Sequence, residues 1–227
     1  VRKAGRFLKR LFLFILLAHW AYIVALKWVN PPITLTQFNS WIAGEGLKRE
    51  YISWEEIPTS IKLAVVASED QLFAQHTGFD KKSIQKALEF NQKNEGKKLR
   101  GASTISQQTA KNVFLWQGRS WFRKGLETYF TLMIEWIWGK ERILEIYLNV
   151  IEMGPGIYGI EAAAQHYYNK SAYELTRAEA ARIAVALPQP KKYQVNPPSN
   201  YVLNRADWVL RQMRQIEGDT QLKALID

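Results

Sequence analysis

The chain has no cysteine among its 227 residues. That excludes a disulfide framework and any thiol chemistry, and it fits an extracytoplasmic location without demanding one. Strand signals are sparse and no internal repeat is visible, which leaves a mainly α class. Acidic residues are missing from the first thirty positions, where Arg2, Lys3, Arg6, Lys9, Arg10 and Lys27 stand unopposed. A second one-sided stretch spans 93–124, where Lys93, Lys97, Lys98, Arg100, Lys111, Arg119, Arg123 and Lys124 face Glu95 alone. These two stretches hold more positive charge than the whole chain's net of +10, so the rest is slightly acidic. Two basic clusters therefore need two explanations.

The first is a topology signal. Residues 11–29 read LFLFILLAHWAYIVALKWV, with His19 and Lys27 as the only strongly polar members. A helix of that length spans about 28 Å, close to the hydrocarbon thickness of a bilayer. The basic flank assigns its N-terminal side to the cytoplasm, and Trp20, Tyr22, Lys27 and Trp28 suit the opposite interface. No small-x-small cleavage site follows, which favours an uncleaved anchor over a signal peptide. His19 reads as a tolerated polar residue. The expected organisation is a basic cytoplasmic segment over 1–10, a transmembrane helix over 11–29, a linker over 30–50 and one domain over 51–227. Everything after the anchor is then extracytoplasmic, so the second basic cluster suits phosphates of lipids or of a lipid-linked substrate rather than nucleic acid.

Asn30, Pro31 and Pro32 stop the anchor helix. The linker is expected to hold at most a short extended piece. Beyond it the pattern is helical. Ser53 to Glu56 is a capping-box candidate, and a helix capped by Thr59 or Ser60 runs to Ser68. Further helices are expected over 81–90, 103–112, 120–138, 140–151, 158–168, 178–187 and 204–217, with a mobile loop over 91–100 and an extended stretch over 189–201. The 120–138 helix is apolar almost all round, which predicts deep burial or contact with membrane.

Five stretches fall in fixed order: 69–78 (EDQLFAQHTG), 101–112 (GASTISQQTAKN), 123–127 (RKGLE), 143–149 (ILEIYLN) and 178–190 (AEAARIAVALPQP). In this order they resemble the peptidoglycan glycosyltransferases that polymerise lipid II, glycosyltransferase family 51, over roughly residues 51–215. The lone anchor and the lack of a second domain resemble the monofunctional biosynthetic form. The resemblance implies a mainly α fold, with a lysozyme-like large lobe and a smaller lobe against the membrane. It implies a bacterial inner-membrane enzyme of cell wall synthesis whose catalytic domain lies on the periplasmic face. Its implied partners are lipid II, the growing glycan chain, membrane lipids and cell-wall or division proteins. No tightly bound cofactor is implied; a divalent metal, Mg or Mn, is compatible with the chemistry.

The residues carry this chemistry in recognisable ways. Joining two sugars through a 4-hydroxyl needs a base, and a carboxylate in a partly apolar setting can serve. Glu69 ends an apolar helix, and the family's first glutamate is taken as that base. Asp70 points about 100° away on a helix and is assigned to support. His76 is expected to fix the surroundings of Glu69, and Phe73 to belong to the core. The leaving group is a lipid pyrophosphate, which needs charge neutralisation. Lys111, Arg119, Arg123 and Lys124 can supply it. Ser103, Thr104, Gln107, Gln108 and Asn112 are expected to contact substrate from the start of a helix, whose free N–H groups also suit anions. Ordinary capping by Ser103 or Thr104 is the plainer alternative. Glu127 is the family's second glutamate; four residues after Arg123, it is expected to hold that cation in place. Leu126 stands where many relatives carry lysine. Glu145, Tyr147 and Asn149 are expected to serve packing and cleft architecture. The segment with Phe114, Trp116, Trp121 and Phe122 is the expected lipid-dipping surface.

Two other readings fit these residues less well. A lysozyme-like hydrolase would need a general acid for a sugar leaving group and no pyrophosphate cluster. A non-catalytic scaffold would have no need of complete catalytic motifs.

Overall fold

A computed structural model of the protein describes residues 2–94, 101–118 and 120–227. It is mainly helical, as expected. Helix α1 (Arg2–Ala25) holds an apolar stretch, Gly5–Ala25, of mean hydropathy 1.7, long enough to cross a membrane. The basic segment expected to precede the span is itself helical, because Arg and Lys are good helix formers. The helix also closes earlier than Val29. Lys27 and Trp28 tighten into i to i−3 hydrogen bonds ahead of Pro31, which biases the residues before it away from helix.

The end of α1 is docked, not loose. Ile23 and Leu26 are buried. The Trp138 indole donates to Ile23 O at 2.8 Å, and the Arg142 guanidinium donates twice to Leu26 O at 3.1 Å. His19, expected to be merely tolerated, has a partner: its Nε2 lies 3.2 Å from the Tyr129 hydroxyl.

The expected linker is more structured than its glycines suggested. It contains helix α2 (Leu35–Ile42), which opens with a reciprocal capping box between Thr34 and Gln37. Strand β1 (Lys48–Arg49) follows. It pairs in parallel with β3 (Ile157–Tyr158), which pairs antiparallel with β2 (Glu152–Gly154), giving the order β1-β3-β2. Strands this short carry little periodicity, so they left no pattern to read.

The core forms around α3 (Thr59–Glu69), buried continuously from Ile61 to Ala67. Even Lys62 is buried there, its Nζ 3.5 Å from the centre of the Trp54 ring. Trp54 belongs to a short 3-10 turn carrying the expected capping box of Ser53 and Glu56. Against α3 pack α9 (Arg177–Ala186), α10 (Asn200–Ile216) and α11 (Thr220–Ile226). The buried alanines 180, 181, 184 and 186 of α9 leave room for close approach. The stretch 189–201 is not extended throughout, since α10 begins at Asn200 behind a Ser199 cap; α11, after its Asp219 cap, was unexpected.

A second group packs α5 (Ile105–Phe114) against α6 (Trp121–Ile137) and α7 (Lys140–Val150), with α1 along α6. Helix α4 (Lys81–Lys93) runs into the expected loop, of which 95–100 lie outside the described residues. Helix α8 (Ile160–Tyr168) follows the sheet. On α6 only part of the surface is buried, including Phe130 and Ile134; Trp121, Phe122, Leu132 and Trp136 face outward. Asn149 ties the groups together: its side chain exchanges two 3.0 Å hydrogen bonds with the backbone of Ile52 and donates to Glu145 O.

One glycine carries the geometry of the first motif. Gly78 has φ +89, and a Cβ there would lie 2.8 Å from the Thr131 methyl and 3.1 Å from Glu135 Cγ. Gly78→Ala is therefore expected to destabilise the protein by about 1–3 kcal/mol. Thermal unfolding in detergent checks this, against Gly125→Ala, where nothing lies within 4 Å of the added carbon.

Candidate active site

Glu69 closes α3, where seven buried residues in succession hold its backbone rigid. Its carboxylate is partly exposed yet closely surrounded by protein. Burial pushes its pKa above the ordinary 4.5, and the Asp70 charge adds to this; a Gln108 hydrogen bond and the more distant Arg205 oppose it. Gln108 Nε2 donates to Glu69 Oε2 at 2.9 Å, while the Tyr147 hydroxyl donates to Gln108 Oε1 at 3.2 Å. The tyrosine thus fixes which end of the amide faces the carboxylate. Tyr147 is fully buried, and burial raises its own pKa far above 10, so it remains a donor.

Asp70 is buried at 6% exposure and answers its own desolvation with three hydrogen bonds. Its oxygens accept from His76 Nε2 at 2.9 and 3.0 Å, and Oδ2 also accepts from the Ile105 N–H at 3.0 Å. Ile105 opens α5, so the carboxylate sits on a helix N-terminus, where negative charge is favoured. The Gly78 N–H donates to His76 Nδ1 at 3.1 Å, which leaves the Nε2 proton for Asp70. Phe73, fully buried, belongs to the core as expected.

The cations gather between α5 and α6. Glu127, only 3% exposed, accepts from Arg123 Nη1 at 2.7 Å and from Lys124 Nζ. The Arg123 Nε donates to Gly118 O at 2.8 Å, and Ser120 caps α6 by accepting from the Arg123 N–H. Lys111 faces the same group. Burial lowers its pKa, and Arg123 and Lys124 press in the same direction against the pull of Glu127. Three cations around one carboxylate leave an excess positive charge suited to an anion. Arg119 lies outside the described residues.

Helix α5 joins the two halves. Gln108 touches Glu69, and Lys111, three residues on, falls on the same helix side roughly 5–6 Å away between Cβ atoms.

The remaining residues of the second motif divide by burial. Ser103 is exposed. Thr104 caps α5, accepting from the Gln107 N–H and donating to Gly78 O at 2.7 Å. Gln107 closes the capping box by accepting from the Thr104 N–H, and at 3% exposure it is committed to the interior. Asn112 is equally buried; it donates to Gln108 O at 2.8 Å and accepts from Gln117. Of the expected aromatic segment, Phe114 stacks on Phe130 with ring centres 4.4 Å apart, whereas Trp121 and Phe122 are 92% and 72% exposed. One supporting network escaped the motifs. Glu135 accepts from Ser106 at 2.5 Å and from Lys140 at 2.7 Å, and that ammonium rests 4.4 Å from the Phe73 ring centre. The signal for it was weak, two ordinary charges around Gly139. Among the described residues no group of three or more His, Asp or Glu side chains is placed to hold a metal ion.

The family profile described as Transglycosylase matches residues 36–214. A protein of Shewanella oneidensis called biosynthetic peptidoglycan transglycosylase is 48% identical over 98% of this chain and 96% of its own length. Proteins of the same name are 47% identical in Pseudomonas aeruginosa, over 99% of both chains, and 47% identical in Stutzerimonas stutzeri, over 96% and 92%.

The state of Glu69 has a consequence for stability. Because the native carboxyl holds its proton more tightly than the unfolded one, wild-type stability falls as pH rises from 4.5 through the raised native value. Glu69→Gln, which does not ionise, is expected to unfold at a higher temperature than wild type at neutral pH. The advantage should vanish near pH 4 and level off above the native pKa; thermal melts across pH 4–8 measure it.

Proposed function

The chain belongs to the transglycosylase family, and from that premise we propose a membrane-anchored peptidoglycan glycosyltransferase that polymerises lipid II into β-1,4-linked strands and releases undecaprenyl pyrophosphate. The observation that carries this reading is α5, which presents Gln108 to the Glu69 carboxylate and Lys111 to the Arg123–Lys124–Glu127 cluster. A base and an anion site one helical turn apart suit the transfer of a sugar from a pyrophosphate to a hydroxyl.

In the proposed reaction Glu69 takes the proton of the 4-hydroxyl of one lipid II. That oxygen bonds to the anomeric carbon of the growing chain. The bond from that carbon to the pyrophosphate oxygen breaks, and its electron pair leaves with the phosphate. Attack from the opposite face inverts an α-linked donor to a β-1,4 bond. Arg123 offers a guanidinium oriented by Glu127 and Gly118 O, and Lys111 a nearby ammonium, for the charge that develops on the leaving group. A half-desolvated lysine suits this task, since an arriving pyrophosphate favours its protonated form. Glu127 acts as a positioning residue, and Asp70 and His76 act through α5. The donor set does not fit a resident Mg or Mn: Glu127 is engaged by two cations, and Asp70 by His76 and an N–H. No step is therefore routed through a metal.

The same features weigh against glycan hydrolysis. A sugar leaving group requires a proton donor, whereas the described cluster supplies fixed positive charge. The location proposed is the bacterial inner membrane, with α1 spanning it, the N-terminus cytoplasmic and the catalytic domain on the periplasmic face. Exposed Trp121 and Phe122, beside Arg123, support contact with lipid near the cation cluster. Membrane lipids and cell-wall or division proteins are the partners proposed with this location.

Polymerisation of purified lipid II tests the proposal. Glu69→Gln is expected to lower turnover by about 10²–10⁴-fold, and Arg123→Ala to lower kcat/KM by about 10²–10³-fold when referred to the folded fraction. Normal polymer from Glu69→Gln would remove it from the base role. The acid limb of kcat/KM should lie above the ordinary carboxylate range, because burial raises the pKa of Glu69. Gln108→Leu removes a hydrogen bond that favours the carboxylate, so that limb should move to still higher pH.

A further inference from the structure

Helix α2 is folded with its polar side inward. Thr36, Gln37 and Ser40 are buried, whereas Leu35, Phe38, Trp41 and Ile42 are 45%, 40%, 59% and 66% exposed. Internal bonds hold this orientation. Thr36 Oγ1 accepts from Gln117 at 3.0 Å, Gln37 Oε1 accepts from Arg49 at 3.2 Å, and Ser40 donates to Glu45 at 2.5 Å. Turning the apolar side inward would break all three and strand buried polar groups. The outward face also continues a ridge. Trp28, Val29 and Ile33, on the short passage from α1 to α2, are exposed as well, and Lys27 lies beside Trp28.

We propose that α2 lies in the outer interface of the bilayer that α1 crosses, with Leu35, Phe38, Trp41 and Ile42 inserted at the boundary of headgroups and acyl chains. The inference rests on the membrane-anchored reading and extends it to a second, in-plane contact. An apolar strip beginning where a spanning helix emerges meets lipid first, and Trp is favoured at that depth. A second copy of the chain is a poorer occupant. Eight residues make a helix about 12 Å long, and a stable protein interface needs about 800 Å² from each partner. The contact also has a use. Gln117, which holds Thr36, also reaches Asn112, the neighbour of Lys111. Lipid contact at α2 thus sets the height of the cation-bearing end of α5 above the membrane, where a lipid-borne pyrophosphate would lie.

The absence of cysteine makes the test direct. Single variants Phe38→Cys, Trp41→Cys and Ile42→Cys of the full chain are labelled with an environment-sensitive fluorophore. They are reconstituted in vesicles of phosphatidylethanolamine and phosphatidylglycerol. Leu17→Cys in α1 and Arg211→Cys in α10 serve as references. The three α2 labels are expected to shift to the blue and to be quenched several-fold more than the Arg211 label by lipids spin-labelled near the headgroup. Quenching at Leu17 by lipids spin-labelled deep in the acyl chains, without headgroup-level quenching on α2, would overturn the proposal and leave the anchor intact. Quenching at neither would overturn both. Disulfide-linked dimers of Trp41→Cys with an unquenched label would assign the face to a second copy and overturn it equally.

Discussion

The site depends on one buried carboxylate placed on the start of a helix. Asp70 binds the first N–H of α5 and the His76 ring, and so locks the end of α3 to the start of α5. The Thr104 bond to Gly78 O supports the same register. With it, Gln108 meets Glu69 and Lys111 meets Glu127. The adjacent acids at 69 and 70 have opposite electrostatic roles for this reason. Asp70 is bound on both oxygens and serves as a tether. Glu69 is closely surrounded by protein, and burial together with the Asp70 charge beside it holds its proton more readily. One carboxylate thereby tunes its neighbour.

The cation side follows a similar economy. Glu127 is almost fully buried, where an unpaired carboxylate would be costly. Arg123 and Lys124 answer that cost, and their own side chains are fixed by it. Arg123 is held at two further points, Gly118 O and its own N-cap at Ser120. A guanidinium immobilised before substrate arrives has less rotamer freedom to lose on binding. Lys111 is different: it is partly desolvated and lies near the other cations, both of which lower its pKa, so a neighbouring anion would favour its protonated form.

Much of this was legible in the sequence because helices announce themselves by period and cap. The apolar run before Glu69, the capping box of Ser53 and Glu56, the Arg123–Glu127 spacing and the core place of Phe73 were all readable locally. What escaped is non-local or inverted. Gln107 looks like Gln108 in sequence, but the first turns inward to the Thr104 cap and the second outward to Glu69; only the three-dimensional course of α5 separates them. Tyr147 reads as a packing residue at helical spacing, and its hydroxyl acquires a task only because α7 crosses beneath Gln108. The sheet joins residues more than a hundred positions apart through strands two or three residues long. Helix α2 hid because glycines follow it and its apolar residues face away from the core.

The link between anchor and chemistry is the least expected of these. His19 would be an expense in a helix surrounded by lipid. Its partner Tyr129 lies two residues beyond Glu127 on α6, and the His19 ring also stands against Phe130, which stacks on Phe114 at the end of α5. The last turns of α1 therefore pack on the two helices that carry the cation cluster. Trp138 and Arg142 bind the carbonyls of Ile23 and Leu26 at the next turn. An anchor joined only by its connecting chain would leave the domain free to tilt. This one is bonded at three successive levels, so the direction of α1 and that of α6 are set together. The polar residue inside an apolar run is then accounted for by orientation: it specifies which side of α1 faces the enzyme.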